Sequence, residues 1–209
     1  MSGTAALILA GGAGRRLGGA DKPLLLLDGR PILARILDTL SRDISDIAIS
    51  ANGDPARFAT FARPVLADGV FAGQVPLAGL LAGLDWAFSI GAETLLSVPG
   101  DTPFIPGHLA AALAPAPSIA TSGGRAHHLV GLWPVAIRVT LRTRLVGPFS
   151  PTPFSQAPFS QTGSRRAQDF ANAIGARRVD FPVQPWDRFM NVNTAEDLAA
   201  ARHIARMTA

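Results

Sequence analysis

The chain of 209 residues contains no cysteine, which excludes disulfides, thiolate nucleophiles and cysteine-ligated zinc and fits a reducing cytoplasm. It has no tyrosine, and its basic residues never run to more than two in succession. With no phenol to stack bases and no basic tract to follow a phosphate backbone, nucleic acid is not expected as a partner despite the formal net charge of +4. No apolar run approaches the roughly 18 residues needed to cross a membrane. No basic segment precedes the short apolar run near the N-terminus, so neither a membrane anchor nor a secretory leader is expected. Lysine is all but missing: 18 of the 19 basic residues are arginine, and Lys22 is the exception. Apolar residues make up 48% of the chain, enough for one substantial core and too little chain for two ordinary domains with a linker. A single domain over residues 1–209 is therefore expected.

The lone lysine closes the most distinctive stretch of the chain, residues 5–27, AALILAGGAGRRLGGADKPLLLL. An apolar run over residues 5–10 breaks into Gly11, Gly12, Gly14, Gly18 and Gly19, punctuated by Arg15, Arg16 and Lys22. This is the pattern of a buried strand ending in a phosphate-binding loop. Glycine lets the main chain turn and lets a ligand approach it, so successive N–H groups can point at an anion. The arginines add forked donors for phosphate oxygens, and lysine adds a compact mobile charge that arginine does not replace. The P-loop pattern fails here because Lys22 follows Asp21, and the dinucleotide fingerprint fails at its sixth place, Leu17.

Strand and helix signals alternate through the rest of the chain, which predicts a three-layer α/β/α domain with a mostly parallel sheet. Residues 24–27 read as a brief extended segment, followed by a helix over 31–40 with apolar residues at 32, 33, 36, 37 and 40. A strand over 46–52, a short helix capped by Asp54 and reaching 61, and a strand over 64–67 ending at Asp68 come next. Residues 69–79 form a glycine-rich connection into a helix over 80–89. The most apolar strand, 94–98, delivers Pro99-Gly100-Asp101-Thr102-Pro103. The two prolines restrain the backbone on either side of Asp101, and a rigid carboxylate facing a phosphate loop suits a hard divalent cation such as Mg²⁺. Asp101 could also cap a helix over 106–113, and the two roles are compatible.

A strand over 118–121 precedes Gly123-Gly124-Arg125-Ala126-His127-His128. Neighbouring histidines on an extended chain point to opposite faces and do not share one ion, so one faces a ligand and the other faces solvent or core. Pro-Phe-Ser recurs at 148–150, 153–155 and 158–160, which predicts a flexible surface loop over 148–163 without chemistry of its own. A helix over 165–174 with Ser164 as its cap, a strand over 177–181, and a terminal helix capped by Thr194 with Glu196 or Asp197 complete the reading. Parallel strands that end in polar residues present them at the sheet's carboxyl edge, where open α/β sheets bind ligands. The 11–22 loop, Ser50 and Asn52, Asp68 and Asp101 all converge there.

Taken together, Leu-Ala-Gly-Gly at 9–12, Gly18-Gly19-Ala20-Asp21-Lys22, Asp68, Leu77-Ala78-Gly79, Pro99-Gly100-Asp101-Thr102-Pro103 and Asn191-Val192-Asn193-Thr194 resemble, in order, the nucleotidyltransferases that activate sugars and cofactors. The closest likeness is to the molybdenum cofactor guanylyltransferases. The resemblance implies the nucleotide-diphospho-sugar transferase type of sheet, Mg²⁺ as cofactor, and GTP and molybdopterin as substrates. It also implies transient contact with cofactor-insertion proteins or target molybdoenzymes. By the same resemblance Leu9, Ala10, Gly11, Gly12, Lys22, Asp68 and Asp101 carry the nucleotide, Arg15, Arg16 and Lys22 screen the phosphates, His127 faces the acceptor, and Asn191 and Asn193 return to the site. Where this chain has Ser50 the family has asparagine, which shortens the polar reach, and the Pro-Phe-Ser segment departs from the family. Three alternatives remain open at this point: a cytidylyltransferase on the same pterin, whose relatives open with Leu-Ala-Ala-Gly, a sugar-phosphate nucleotidyltransferase, and a nucleotide-binding accessory protein without turnover.

Overall fold

In the computed structural model, which describes residues 3–11, 21–71, 76–146 and 166–208, the apolar run near the N-terminus forms β1 (Thr4–Leu9), buried from Ala5 onward. Gly12, Arg15, Arg16 and the Pro-Phe-Ser segment lie outside the described residues. The side chains of β1 alternate strictly. Ala6 and Ile8 enter one apolar cluster, and Ala5, Leu7 and Leu9 enter another on the opposite face. A strand apolar on both faces needs cover on both, which is why it lies in the middle of a layered sheet and not at an edge.

After a 3₁₀ turn at Lys22–Leu24, a two-residue hairpin pairs β2 (Leu26–Leu27) with β3 (Arg30–Pro31) through Asp28 and Gly29, both at positive φ. It leads into α1 (Ile32–Leu40), whose five apolar positions are all buried, as their spacing predicts. β4 (Ile47–Ser50) follows. The Asp54-capped segment is a 3₁₀ helix, Pro55–Phe61, with the Asp54 carboxylate accepting the Ala56 N–H. β5 (Val65–Leu66) falls inside the expected strand. α2 (Leu77–Ser89) begins one turn before the expected start at 80. Ala78 and Gly79 belong to the helix because they are buried against the strand ends, a tertiary contact that local glycine content cannot reveal. β6 (Thr94–Pro99) is followed by α3 (Leu109–Leu113), shorter than the expected 106–113 because His108 sits at φ +54° immediately before it. Asp101 therefore does not cap it.

β7 (Ser118–Ser122) and β8 (Arg125–Pro134) form a hairpin through Gly123 and Gly124, both in the left-handed region. α4 (Arg138–Val146) was not expected from the sequence. Only Leu141 and Leu145 of it are buried, and three arginines with β-branched neighbours hide so narrow an apolar stripe. α5 (Ala167–Ala173), β9 (Arg177–Phe181) and α6 (Ala195–Met207) complete the fold. Thr194 caps α6 in a reciprocal box with Asp197.

The sheet order is β5-β4-β1-β6-β8-β7-β9. The pairs β5–β4, β4–β1, β1–β6 and β7–β9 are parallel, and β8 runs antiparallel to both its neighbours. One apolar cluster packs α1, α3 and α6 on one face, and the other packs α2, α4 and α5 on the opposite face. The three-layer, mostly parallel architecture is thus as the sequence predicts.

Candidate active site

Register places the site. Leu9 pairs with Ser50 and with Pro99, and Ser50 pairs with Leu66, so these four residues form one row across the sheet. Two residues beyond each lie Gly11, Asn52, Asp101 and Asp68. Four positions scattered over about 90 residues of sequence become a line at the carboxyl edge, separated by strand spacings of about 4.8 Å.

The ends of β1 and β6 meet closely at Gly100. The Gly100 N–H donates to the Leu9 carbonyl at 2.9 Å. A Cβ on Gly100 would lie 3.0 Å from Pro23 Cγ and 3.2 Å from Leu9 O. This close approach sets Asp101 beside Lys22. Lys22 Nζ lies 3.3 Å from Asp101 Oδ2 and donates to Asn193 Oδ1 at 2.5 Å. Asn191 Nδ2 donates to Asp101 Oδ1 at 2.8 Å and to Thr102 Oγ1 at 3.0 Å, and the Val192 N–H donates to the Asp101 carbonyl at 2.9 Å. Asp101 is therefore oriented chiefly by the Asn191-Val192 segment, with the flanking prolines secondary. That segment is anchored in turn by Asp197, whose Oδ2 accepts the Asn193 and Thr194 N–H groups at 2.9 Å each. The Asn193 N–H above all holds the Asp197 carboxyl below its ordinary pKa.

Asn52 and Asp68 form a reciprocal pair: Asn52 Nδ2 donates to Asp68 Oδ2 at 2.7 Å, and the Asp68 N–H donates to Asn52 Oδ1 at 3.1 Å. Ser50 is buried beneath α2. Arg57, which the sequence reading did not single out, donates to the Asn52 carbonyl at 2.7 Å and sets its Nε 3.0 Å from Asp21 Oδ2. It ties the residue before Lys22 to the end of β4. No local pattern announces a pair 36 positions apart, so only the fold reveals it.

A cleft of about 480 Å³ opens along this edge. Its lining includes Leu9, Ala10, Gly11, Lys22, Asp101, Asn191 and Asn193 and, from β8, Arg125, His127 and His128. Ser50, Asn52 and Asp68 are not part of its described lining. Both histidines line the cleft, where the sequence predicts that only one faces a ligand, and their surroundings differ. His127 is buried, 5.0 Å from the Phe189 ring, with Nε2 2.7 Å from Ser122 Oγ. Burial pushes its pKa down, against the attraction of Asp187. His128 is also lowered, mainly by burial and then by Arg178, with Asp169 of α5 opposing. The aim of His127 comes from a bulge. Ile119 pairs with Gly131 but Ala120 pairs with His127, so three extra residues of β8 are accommodated between them.

Among the described residues no group of three or more His, Cys, Asp or Glu side chains forms a metal cage. Asp101 is the single carboxylate of the described lining and is about one-fifth exposed. A Mg²⁺ ion held by one or two carboxylates together with substrate phosphates fits such a donor set, whereas an all-protein site does not.

Residues 6–147 match the family described as the MobA-like NTP transferase domain. The chain is 52% identical over 196 residues to a protein of Acidiphilium cryptum named molybdenum cofactor guanylyltransferase, covering 94% of this chain and 92% of that one. It is 44% identical over 207 residues to a protein of the same name from Cereibacter sphaeroides, covering 97% of each. Among solved structures, molybdopterin-guanine dinucleotide biosynthesis protein A from Archaeoglobus fulgidus superposes with a TM-score of 0.68 at 18% identity, over 98% of this chain and 99% of that one. This last likeness is one of fold.

Proposed function

The chain belongs to the MobA-like NTP transferase family, and from that premise we propose that it transfers GMP from GTP to molybdopterin, forming molybdopterin guanine dinucleotide and releasing pyrophosphate. The observation that carries this reading is the cluster of Lys22, Asp101, Asn191 and Asn193 at the mouth of the parallel sheet. A relative at 52% identity carries the name molybdenum cofactor guanylyltransferase, which supports this choice of substrates.

The acceptor's terminal phosphate is an anion and attacks the α-phosphorus without a general base. A new bond forms from its oxygen to the α-phosphorus, the bond from the α-phosphorus to the bridging oxygen breaks, and the electron pair leaves with pyrophosphate. The burden on the protein is therefore positioning and charge neutralisation. Lys22 has three N–H donors, and two are committed to Asp101 and Asn193. The third is left for a phosphate oxygen in a fixed direction. Arg15 and Arg16 add charge to the same loop, and Arg125 supplies a cation on the acceptor side of the cleft. A Mg²⁺ ion on Asp101 would supply further neutralisation across the phosphate oxygens. Asn52 and Asp68, by closing on each other, hold the end of β4 against β5.

We place the reaction in the cytoplasm, in keeping with the absence of cysteine, and the product would pass to cofactor-insertion proteins or target molybdoenzymes. No helix among the described residues is long and apolar enough to cross a membrane. Incubating the purified protein with molybdopterin, Mg²⁺ and each of GTP, CTP, ATP and UTP tests the proposal through pyrophosphate release. GTP should be used far ahead of the others. A preference for CTP would replace guanylyl by cytidylyl transfer, and no release with any nucleotide would leave a binding protein.

A further inference from the structure

His127 is joined to two groups that phosphoryl neutralisation does not use. Ser122 Oγ lies 2.7 Å from His127 Nε2 and 2.8 Å from Asp187 Oδ1, and the same Oδ1 accepts the Phe189 N–H at 2.9 Å. A hydroxyl has one hydrogen, and a carboxylate only accepts. The Ser122 hydrogen must therefore point at Asp187, and Ser122 Oγ must accept from His127 Nε2–H. Ser122 is thereby unfit as a nucleophile activated by His127, because its proton already belongs to the carboxylate bond. The Nε2–H is committed, which leaves Nδ1 as a bare acceptor with no partner among the described residues.

The ring cannot turn to exchange these roles. His127 is 8% exposed and packed at a 42° tilt against the Phe189 ring, which is itself packed against Phe181 at 5.0 Å. Burial also keeps the imidazole neutral, against the pull of Asp187. The Asp187–Phe189 end of this arrangement belongs to the loop that carries Asn191 and Asn193. A few residues of one loop thus fix a histidine on one wall of the cleft and the Lys22–Asp101 pair on the other.

We propose that Ser122 and Asp187 are positioning residues that hold His127 as its Nε2–H tautomer, so that Nδ1 accepts a hydrogen bond from a ring or amino N–H of the acceptor's nitrogen heterocycle. The identity of that heterocycle as a pterin rests on the guanylyl-transfer reading; the tautomer does not. A neutral acceptor selects an N–H donor and disfavours a carbonyl or phosphate oxygen at the same place, because two lone pairs would then face each other. The acceptor is thereby oriented with its heterocycle toward β8 and its phosphate toward Lys22.

The tautomer can be read without substrate by ¹⁵N NMR of histidine-labelled protein, with His127→Gln assigning its signal among the four histidines. Wild type should show a pyridine-type Nδ1 and a pyrrole-type, protonated Nε2. Ser122→Ala removes the acceptor for Nε2–H, and Asp187→Ala frees the Ser122 hydroxyl to donate instead. Both variants should show a mixture of tautomers. Both should also raise KM for molybdopterin by about ten- to a hundredfold, the scale of a misdirected buried hydrogen bond, with KM for GTP unchanged. A wild-type signal with a protonated Nδ1, or a pure Nε2–H form retained in Ser122→Ala, would overturn the proposal. An equal rise of both KM values would overturn it as well. If Asp187→Ala does not fold, Ser122→Ala alone decides, since it keeps the Asp187 bond to Phe189 N–H. The expected tautomers in a protein that uses no pterin would refute guanylyl transfer and leave this assignment standing.

Discussion

At the scale of single residues, Lys22 is seated between an aspartate and an asparagine oxygen, with its side chain about one-fifth exposed. A guanidinium is longer and planar and cannot occupy a seat built for a tetrahedral ammonium while keeping a donor for phosphate. Lys22→Arg should therefore lower kcat/KM at least about tenfold, or roughly 1.4 kcal/mol of transition-state stabilisation, with an unchanged Tm. Wild-type kinetics in that variant would reduce the solitary lysine to an accident of composition. Asp101→Asn should lose well over tenfold in kcat at saturating Mg²⁺ and keep its fold, because the carboxylate stands at a cleft and not in a core. Full activity would dispose of Asp101 as the cation's ligand. Gly11 lines the cleft, and its missing Cβ would leave room for a purine beside main-chain groups. Gly11→Ala should lose GTP activity without gaining CTP activity, since removing room does not build contacts for the smaller base. Unchanged GTP kinetics would show that this glycine does not read the base.

At the scale of elements, the approach of α2 to the sheet is the contact on which the site's floor depends. A Cβ on Gly79 would lie 2.4 Å from Ser50 Oγ and 3.1 Å from Leu9 Cδ2. Ser50 is buried directly beneath it, and neither strand end can retreat. Gly79→Ala should destabilise by about 1–3 kcal/mol, the usual cost of overpacking, as measured by denaturant unfolding. Gly79→Ala combined with Ser50→Ala should recover most of that, because the hydroxyl that caused the overlap is gone. Additive effects in the double-mutant cycle would mean that the two sites do not share the contact. The bulge in β8 is a second device of this scale. By taking up three residues between the pairs Ile119–Gly131 and Ala120–His127, it turns His127 toward Ser122 and the cleft.

For the molecule as a whole, stability should respond to acid in two steps. The folded pKa values of His127 and His128 are lowered from the ordinary 6.5, chiefly by burial. As pH falls below that value the unfolded chain takes up protons first, so stability is lost until the folded values are passed. Glu196 and Asp197 are lowered from 4.5 and 3.8, Glu196 mainly by its own backbone N–H and Asp197 mainly by that of Asn193. Their contribution is present above the unfolded values and disappears as pH falls through the lowered ones. Tm followed against pH should decline as pH falls below the unfolded histidine value of 6.5, and again in the acid range. The double variant His127→Gln/His128→Gln should abolish the upper decline while leaving the lower. A Tm that stays flat as pH falls below 6.5 in the wild type would contradict the lowered histidine values.

The sequence alone determined what depends on neighbours along the chain. The burial of β1, the periodicity of α1, the Thr194 cap and the limits of β9 were all legible, because each is decided by residues within a few positions of one another. The same local rules failed where distant packing decides. The early start of α2 and the existence of α4 rest on contacts with other elements, and so does the shortened α3. Within the site, the sequence supplied Lys22, Asp101, Asn191, Asn193 and His127 as candidates. Only the tertiary structure assigned their partners, among them Arg57 for Asp21, the Asn52–Asp68 pair and the chain from His127 through Ser122 to Asp187. A hydrogen bond across 65 or 171 positions leaves no local trace. It exists because parallel strand register brings separated residues to one edge, and one loop, anchored on Asp197, reaches across both walls of the cleft.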